Sequence, residues 1–243
     1  MRQVLITGGG GGIGAALSAG FAALGDHVIV LDRDGAAARA VAARLAGDGG
    51  SAEAVTCDLT DEAQTARMLA GLGKGLDVLI NNAGIEARAV SGSAGFGADW
   101  RRVMAVNLDG AAYLSQAALP LLERAQGCII NIASIQSYAV LHTANTVYTV
   151  SKAALAQLTR AMAVEYAPRG VRVNAIAPGV VETPMIRQAG QQADRLRLFL
   201  DRIPMKRFAL AEEIFGPAQF LASSGAAYVT GIILPVDGGF LAM

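Results

Sequence analysis

The sequence predicts an α/β fold: a doubly wound parallel sheet of seven strands with helices on both faces, in a single domain over residues 1–243. Three observations carry this. Short β-branched runs alternate with longer alanine-rich stretches, and strands joined by long crossovers pair in parallel. Several of the runs are apolar throughout, as strands covered on both sides are. With 53 % hydrophobic and 16 % charged residues, the 243-residue chain has apolar surface for a sizeable core and too little charge for disorder.

The first strand is read at Gln3 to Ile6, followed by a glycine run and a helix from Ile13 to Leu24. A second strand at Val28 to Leu31 precedes a helix at Ala36 to Ala46, and a third lies at Ala54 to Cys57. The fourth and fifth are Val78 to Ile80 and Cys128 to Ile132. A long helix, Tyr148 to Ala167, leads to the sixth at Val171 to Ile176, and Ile232 to Val236 closes the sheet. Between the last two, Leu196, Phe199, Leu200 and Ile203 fall at i, i+3, i+4 and i+7, the spacing of a short amphipathic helix.

Twenty basic residues balance twenty acidic ones, so no global field favours nucleic acid or an anionic membrane. Cys57 and Cys128 form no CxxC pair and no zinc spacing, which argues against a disulfide framework or a structural metal and for a reducing cytoplasm. Arg2 is followed only by Val4-Leu5-Ile6 before the glycines, too short for a signal-peptide apolar region. No apolar run has membrane-span length.

The first strand opens into Thr7-Gly8-Gly9-Gly10-Gly11-Gly12-Ile13-Gly14. Backbone N–H groups of such a turn, backed by a helix N-terminus, surround a pyrophosphate when no side chain blocks the approach. Five consecutive glycines satisfy Gly-x-Gly-x-x-Gly at 9, 11 and 14 and also Gly-x-x-x-Gly-x-Gly at 8, 12 and 14, so the pattern leaves the register open. Asp32 lies 18 positions after Gly14, where a carboxylate accepts from adenosine ribose hydroxyls and repels a 2′-phosphate. Taken alone, it better suits a helix or turn cap in Asp32-Arg33-Asp34-Gly35. A Walker-type loop is excluded, because Gly75 follows Gly73-Lys74.

Tyr148 and Lys152 stand at i and i+4, on one helix face. With three lysines and five tyrosines in the chain, about 0.06 such pairs are expected by chance. A nearby ammonium together with a positive nicotinamide ring is expected to lower the phenol toward the working pH, where it exchanges a proton with an alcohol oxygen.

On these residues the chain resembles the short-chain dehydrogenase/reductase family over essentially its whole length. The matching signatures are Thr7-Gly8-x-x-x-Gly12-x-Gly14, Asn81-Asn82-Ala83-Gly84, Val106-Asn107, Ala133-Ser134, Tyr148-x-x-x-Lys152 and Asn174-x-x-x-Pro178-Gly179 with Thr183 after it. The resemblance implies a Rossmann-type fold and NAD-dependent hydride transfer between nicotinamide and a secondary alcohol or ketone. It makes Tyr148 the acid/base, Ser134 the holder of the substrate oxygen and Lys152 the ribose ligand. Asn107 would support a proton-relaying water. Gly8, Gly12, Ile13, Gly14 and Asp32 would hold the cofactor, with Asp58 at the adenine edge and Asn82, Ala83 and Gly84 along the adenosine. Pro178, Val181 and Thr183 would hold the carboxamide.

The same resemblance puts Glu86, Ile135, Gln136, His142, Asn145 and Val180 near the substrate. Their hydrogen-bonding character favours a sugar, polyol or hydroxy acid. Ser134 and Tyr148 are 14 positions apart, one more than is commonest in the family, which implies a bulged loop. No basic residue interrupts the glycine run, while Arg33 is the one residue that speaks for a 2′-phosphate. Arg187 to Arg207 carries six basic and two acidic residues, a local charge that would attract an anionic substrate but is better read as a solvated helix face. Residues 182–208 are expected to form a substrate lid with Arg195, Arg197 and Arg202 outward. Family habit implies a homotetramer, with alanines of the long helix allowing close packing. An NADPH-dependent oxoacyl or quinone-like carbonyl reductase, and a non-catalytic dinucleotide sensor, are the alternatives; the joint presence of Asn107, Ser134, Tyr148 and Lys152 speaks against the sensor.

Overall fold

The structure, a computed structural model, describes residues 1–73, 75–87, 91–141, 145–182 and 200–243. Its centre is a seven-stranded, all-parallel sheet in the order β3-β2-β1-β4-β5-β6-β7. The strands are β1 (Gln3–Thr7), β2 (His27–Asp32), β3 (Ser51–Thr56), β4 (Val78–Asn81), β5 (Cys128–Ile132), β6 (Arg172–Pro178) and β7 (Ile233–Val236). The helices are α1 (Gly12–Ala23), α2 (Gly35–Gly47), α3 (Glu62–Ala70), α4 (Phe96–Met104), α5 (Gly110–Ala125), α6 (Thr146–Tyr166) and α7 (Phe215–Leu221). The α/β, Rossmann-type reading holds.

Successive strand residues point to opposite faces, and here both faces are covered. Val4, Ile6, Val28, Val30, Val78, Ile80 and Ile130 pack with Leu17 and Phe21 of α1, Val41 and Leu45 of α2 and Leu221 of α7. Leu5, Ile29, Leu31, Leu79, Ile129 and Val173 pack with Leu69 of α3, Leu114 and Leu122 of α5 and Met162 of α6. This double burial is why the strands read as unbroken apolar runs.

Boundaries moved where tertiary pairing outweighs composition. β3 begins at Ser51 and ends at Thr56, because its register follows β2 from His27↔Ser51 to Asp32↔Thr56 and leaves Cys57 beyond the strand. β6 continues to Pro178, which pairs with Val236 of the edge strand β7. Asp34 accepts from the N–H groups of Ala36 and Ala37 and so starts α2 at Gly35. α6 starts at Thr146, placing Tyr148 within its first turn. Of the expected lid, residues 183–199, including Leu196 and Phe199, lie outside the described residues; Ile203 is buried against Ile135 and Phe240. Arg202, expected to face outward, is exposed yet stacks its guanidinium 4.4 Å from the Phe240 ring centroid.

Strand order sets the location of any site. From β1 the chain moves outward through β2 to β3, then crosses back to place β4 on the other side of β1. The loops leaving β1 and β4 therefore diverge, and a crevice opens at the carboxyl ends of the strands.

Candidate active site

Every strand from β1 to β6 delivers an expected site residue at that end: the glycine run after β1, Asp32 closing β2, Asp58 after β3, Asn82 after β4, Ser134 after β5, and Pro178 and Val181 at the end of β6. Most of the first four groups line a cavity of about 840 Å³, together with Arg33, Arg102, Ile85 and Val106. That volume suits a cofactor-sized ligand.

The structure resolves the glycine register in favour of 8, 12 and 14. Gly8 and Gly12 have φ of +62° and +51°, in the region that favours glycine. A Cβ on Gly14 would lie 2.1 Å from the Gly8 carbonyl oxygen, so only glycine lets α1 start this close to the turn. At Gly11 a Cβ would meet nothing within 4 Å. The turn is fixed from β4: Asn82 Nδ2 donates to the carbonyls of Thr7 (2.9 Å) and Gly8 (3.1 Å), and Thr7 Oγ1 accepts from the N–H groups of Asn82 and Ala83 (both 3.0 Å). A phosphate-sized cradle in front of the α1 N-terminus results. The residues present thus fit a dinucleotide pyrophosphate.

Asp32 takes part in the turn it had been weighed against. Its Oδ2 accepts from Gly10 N–H (3.0 Å) and its Oδ1 from Asp34 N–H (3.0 Å). Those bonds fix the carboxylate at the cavity wall and leave further lone pairs for hydroxyls. Asp58 accepts from the backbone N–H and hydroxyl of Thr60, and these bonds, with a smaller contribution from Arg33, hold its carboxyl below the usual carboxylate range.

Across the crevice, α6 brings Tyr148 and Lys152 to the end of β5. Lys152 is buried, 4 % exposed, and its ammonium donates to the Ile132 carbonyl at 2.7 Å. Burial lowers its pKa to about 8. The Tyr148 hydroxyl hydrogen-bonds to the buried Ser134, whose Oγ also accepts from Gln136 N–H at 3.1 Å. The Lys152 ammonium lies 5.7 Å from the Tyr148 ring centroid.

In the protein without a dinucleotide the phenol stands above its usual range. Desolvation raises Tyr148 to about 12, the bond to Ser134 opposes the rise, and the Glu86 carboxylate adds to it. The sequence shows the ammonium one turn away, but not the burial that raises the phenol in the protein alone.

Asn107 sits in a π-helical turn, Ala105–Asp109, between α4 and α5, a helix variant frequent at functional sites. Its Oδ1 accepts from Ile85 N–H (2.8 Å), and its Nδ2 donates to the Ile85 carbonyl (2.9 Å) and Ser151 Oγ (3.0 Å). Ser151 in turn donates to the Tyr148 carbonyl at 2.7 Å. The side chain therefore ties the segment after Gly84 to the first turn of α6.

Of the expected substrate residues, Glu86, Gln136 and Asn145 form a chain that also includes Thr149. Asn145 Nδ2 donates to Glu86 Oε1 (3.0 Å) and Gln136 Oε1 (3.4 Å), which also accepts from Thr149 Oγ1 (2.6 Å). Val180 binds through its backbone, its carbonyl accepting from Ala209 N–H. His142 and Thr183 lie outside the described residues. Sequence reasoning missed Thr149, the Ile132 carbonyl and Arg102; none belongs to a local motif, although Thr149 follows Tyr148 directly. Among the described residues no His, Cys, Asp or Glu cluster is arranged to hold a metal, and no helix is long and apolar enough to cross a membrane.

Residues 9–241 match the family described as enoyl-(acyl carrier protein) reductase. The chain is 40 % identical over 245 residues to galactitol 2-dehydrogenase (L-tagatose-forming) of Cereibacter sphaeroides, covering 97 % of this chain and 93 % of that one. The chain belongs to the short-chain dehydrogenase/reductase family. It is also 36 % identical to D-threitol dehydrogenase of Mycolicibacterium smegmatis, over 98 % of this chain and 92 % of that one. A gluconate 5-dehydrogenase from Burkholderia cenocepacia J2315, solved with NADP and tartrate, superposes with a TM-score of 0.93 at 33 % identity, covering 100 % of this chain and 96 % of that one.

Proposed function

We propose that this member of the family is an NAD-dependent dehydrogenase that interconverts a secondary alcohol of a polyol or sugar and the matching ketone. The observation that carries the reading is the convergence of Ser134, Tyr148 and Lys152 beside a cavity walled by the glycine turn and Asp32. The galactitol and threitol dehydrogenases among its relatives support the substrate class.

The glycine turn would hold the pyrophosphate, Asp32 the adenosine ribose, Asp58 and Asn82 to Gly84 the adenosine side, and Pro178 and Val181 the nicotinamide end. Bound there, the dinucleotide would supply the hydride acceptor and, when oxidised, a positive charge. Ser134 fixes the substrate oxygen by hydrogen bonding. Tyr148 takes the hydroxyl proton while the carbinol carbon loses its hydride, and returns it in reduction. Lys152 serves the phenol electrostatically and donates to the nicotinamide ribose. Asn107 acts as a positioning residue for Ile85 and α6.

NAD is favoured over NADP by charge at the adenosine end. Asp32 is the carboxylate that would meet the ribose hydroxyls, and of the two arginines lining the cavity, Arg33 and Arg102, Arg33 already acts on Asp58. The reading extends to a homotetramer, supported by apolar side chains left exposed on α5 and α6, among them Tyr113 and Val164. Initial rates at 340 nm on secondary alcohols, sugars and polyols with each dinucleotide test the proposal. Turnover with a higher kcat/KM for NAD is expected; a higher value for NADP refutes the role of Asp32, and no hydride transfer with either refutes the dehydrogenase.

A further inference from the structure

Beyond Pro178 the chain changes partners. Gly179 N–H still donates to the Val236 carbonyl of β7 at 2.9 Å, but the next residues pair with a different segment. Ala209 N–H donates to the Val180 carbonyl (3.0 Å) and Glu182 N–H to the Ala209 carbonyl (2.8 Å), a single parallel bridge centred on Val181. Under the reading above, Pro178 and Val181 hold the nicotinamide end, and this inference rests on that reading. The position of the buried Val181 is therefore tied to that of Ala209.

Ala209 is in turn gripped from both sides by one carboxylate. Glu213 accepts from Arg207 Nη1 (2.6 Å) and Nη2 (2.7 Å) and from Leu210 N–H (2.8 Å), and Arg207 Nη1 also donates to the Phe208 carbonyl (3.2 Å). Bidentate, charge-assisted bonds of this kind fix geometry as well as add energy. Glu213 itself is held by its neighbour Ile214, which is fully buried in the core that also contains Val181. Packing alone does not set this region, because a cavity of about 90 Å³ opens among Val180, Arg207, Ala209, Glu213, Val236 and Asp237, and contacts across a void are forfeited. The bond from Arg207, then that from Leu210, hold the Glu213 carboxyl down at about 2, so the clamp is charged throughout the neutral range. We propose that Glu213 is a positioning residue for the nicotinamide end of the cofactor site: through Arg207 and Leu210 it fixes Ala209, and through Ala209 it fixes Val181.

ADP-ribose shares the adenosine, pyrophosphate and second ribose of NADH and lacks the nicotinamide. Equilibrium binding of both ligands to wild type, Glu213→Ala and Glu213→Gln is measured by calorimetry, beside alcohol oxidation by wild type. A change of net charge or a general loss of stability acts on both ligands alike, so the ratio of their affinities isolates the nicotinamide end. Wild type should bind NADH about tenfold or more tighter than ADP-ribose, and Glu213→Ala should bring the ratio to within about threefold by weakening NADH. Glu213→Gln keeps an acceptor for Leu210 N–H and loses the charge-assisted pair, so its ratio should fall between the two; if the alanine variant does not fold, a fall in this variant alone decides. A ratio that the substitutions leave unchanged, equal weakening of both ligands, or a wild-type ratio near one overturns the inference. If wild type oxidises no alcohol, the dehydrogenase reading fails and the binding ratios still decide the role of Glu213; if neither ligand binds, both fall.

Discussion

Replacing Lys152 by methionine should make the folded protein more stable at neutral pH while removing its function. The ammonium is 4 % exposed, its hydrogen bond runs to the Ile132 carbonyl, and burial brings its pKa from 10.5 to about 8. In the unfolded chain the amine holds its proton up to about pH 10.4, but in the folded chain only up to about 8, so between these values the unfolded state binds more protons and stability rises with pH. Below pH 8 the full deficit applies, on the order of 3 kcal/mol. Methionine is similar in length and uncharged, so the deficit disappears; the Ile132 carbonyl loses its donor at a cost of about 1 kcal/mol. A net gain of about 2 kcal/mol corresponds to roughly 4–8 °C in Tm for a domain of this size. Thermal unfolding of wild type and Lys152→Met at pH 7 and pH 10 reads it directly. The gain should be present at pH 7 and near zero at pH 10, where most of the wild-type deficit is relieved. A variant less stable at pH 7, or a Tm difference independent of pH, would show that the ammonium is not held against desolvation.

Asp32→Ala should lower kcat/KM for NAD by about tenfold or more and raise it for NADP, since one carboxylate contributes on the order of a charge-assisted hydrogen bond and repels the 2′-phosphate; kinetics with both dinucleotides check this. Gly14→Ala places a methyl group on the Gly8 carbonyl and should abolish dinucleotide binding measured by calorimetry; binding within about threefold of wild type would refute the close approach of α1 to the turn. Burial holds the Tyr148 phenol protonated well above neutral pH. Alcohol oxidation, which needs the phenolate, should therefore rise as pH increases through 7 to 10, and ketone reduction, which needs the phenol, should not; oxidation that falls with pH, or reduction that rises, would reject the assignment. Light scattering after gel filtration should give the mass of four chains, and the mass of one at micromolar concentration would exclude the tetramer.

The sheet was legible because burial on both faces makes strands such as Val28 to Leu31 uniformly apolar, and the Tyr148–Lys152 pair was legible because helical spacing alone sets it on one face. Features that depend on residues far apart were not. Five successive glycines look alike until Asn82, arriving from β4, grips the Thr7 and Gly8 carbonyls. The partners of Asn81 are likewise tertiary: its Nδ2 donates to Ser115 on α5 and to Asn131, its register partner on β5. The π-helical turn at Asn107 joins α4 and α5 and has no counterpart in the sequence pattern. For Tyr148 the sequence gives the sign of its charged neighbour, while the sign of the total is set by packing that only the fold supplies.

The central claim is that Tyr148 exchanges the substrate proton, and single-turnover hydride transfer by wild type and Tyr148→Phe at matched dinucleotide saturation tests it most directly. The substitution removes one hydroxyl and its bond to Ser134. Positioned proton transfer contributes about 10²- to 10⁴-fold, so the variant should bind the dinucleotide normally and transfer hydride at least about a hundredfold more slowly. A rate within about tenfold of wild type would mean that the proton leaves by another route and would contradict the account.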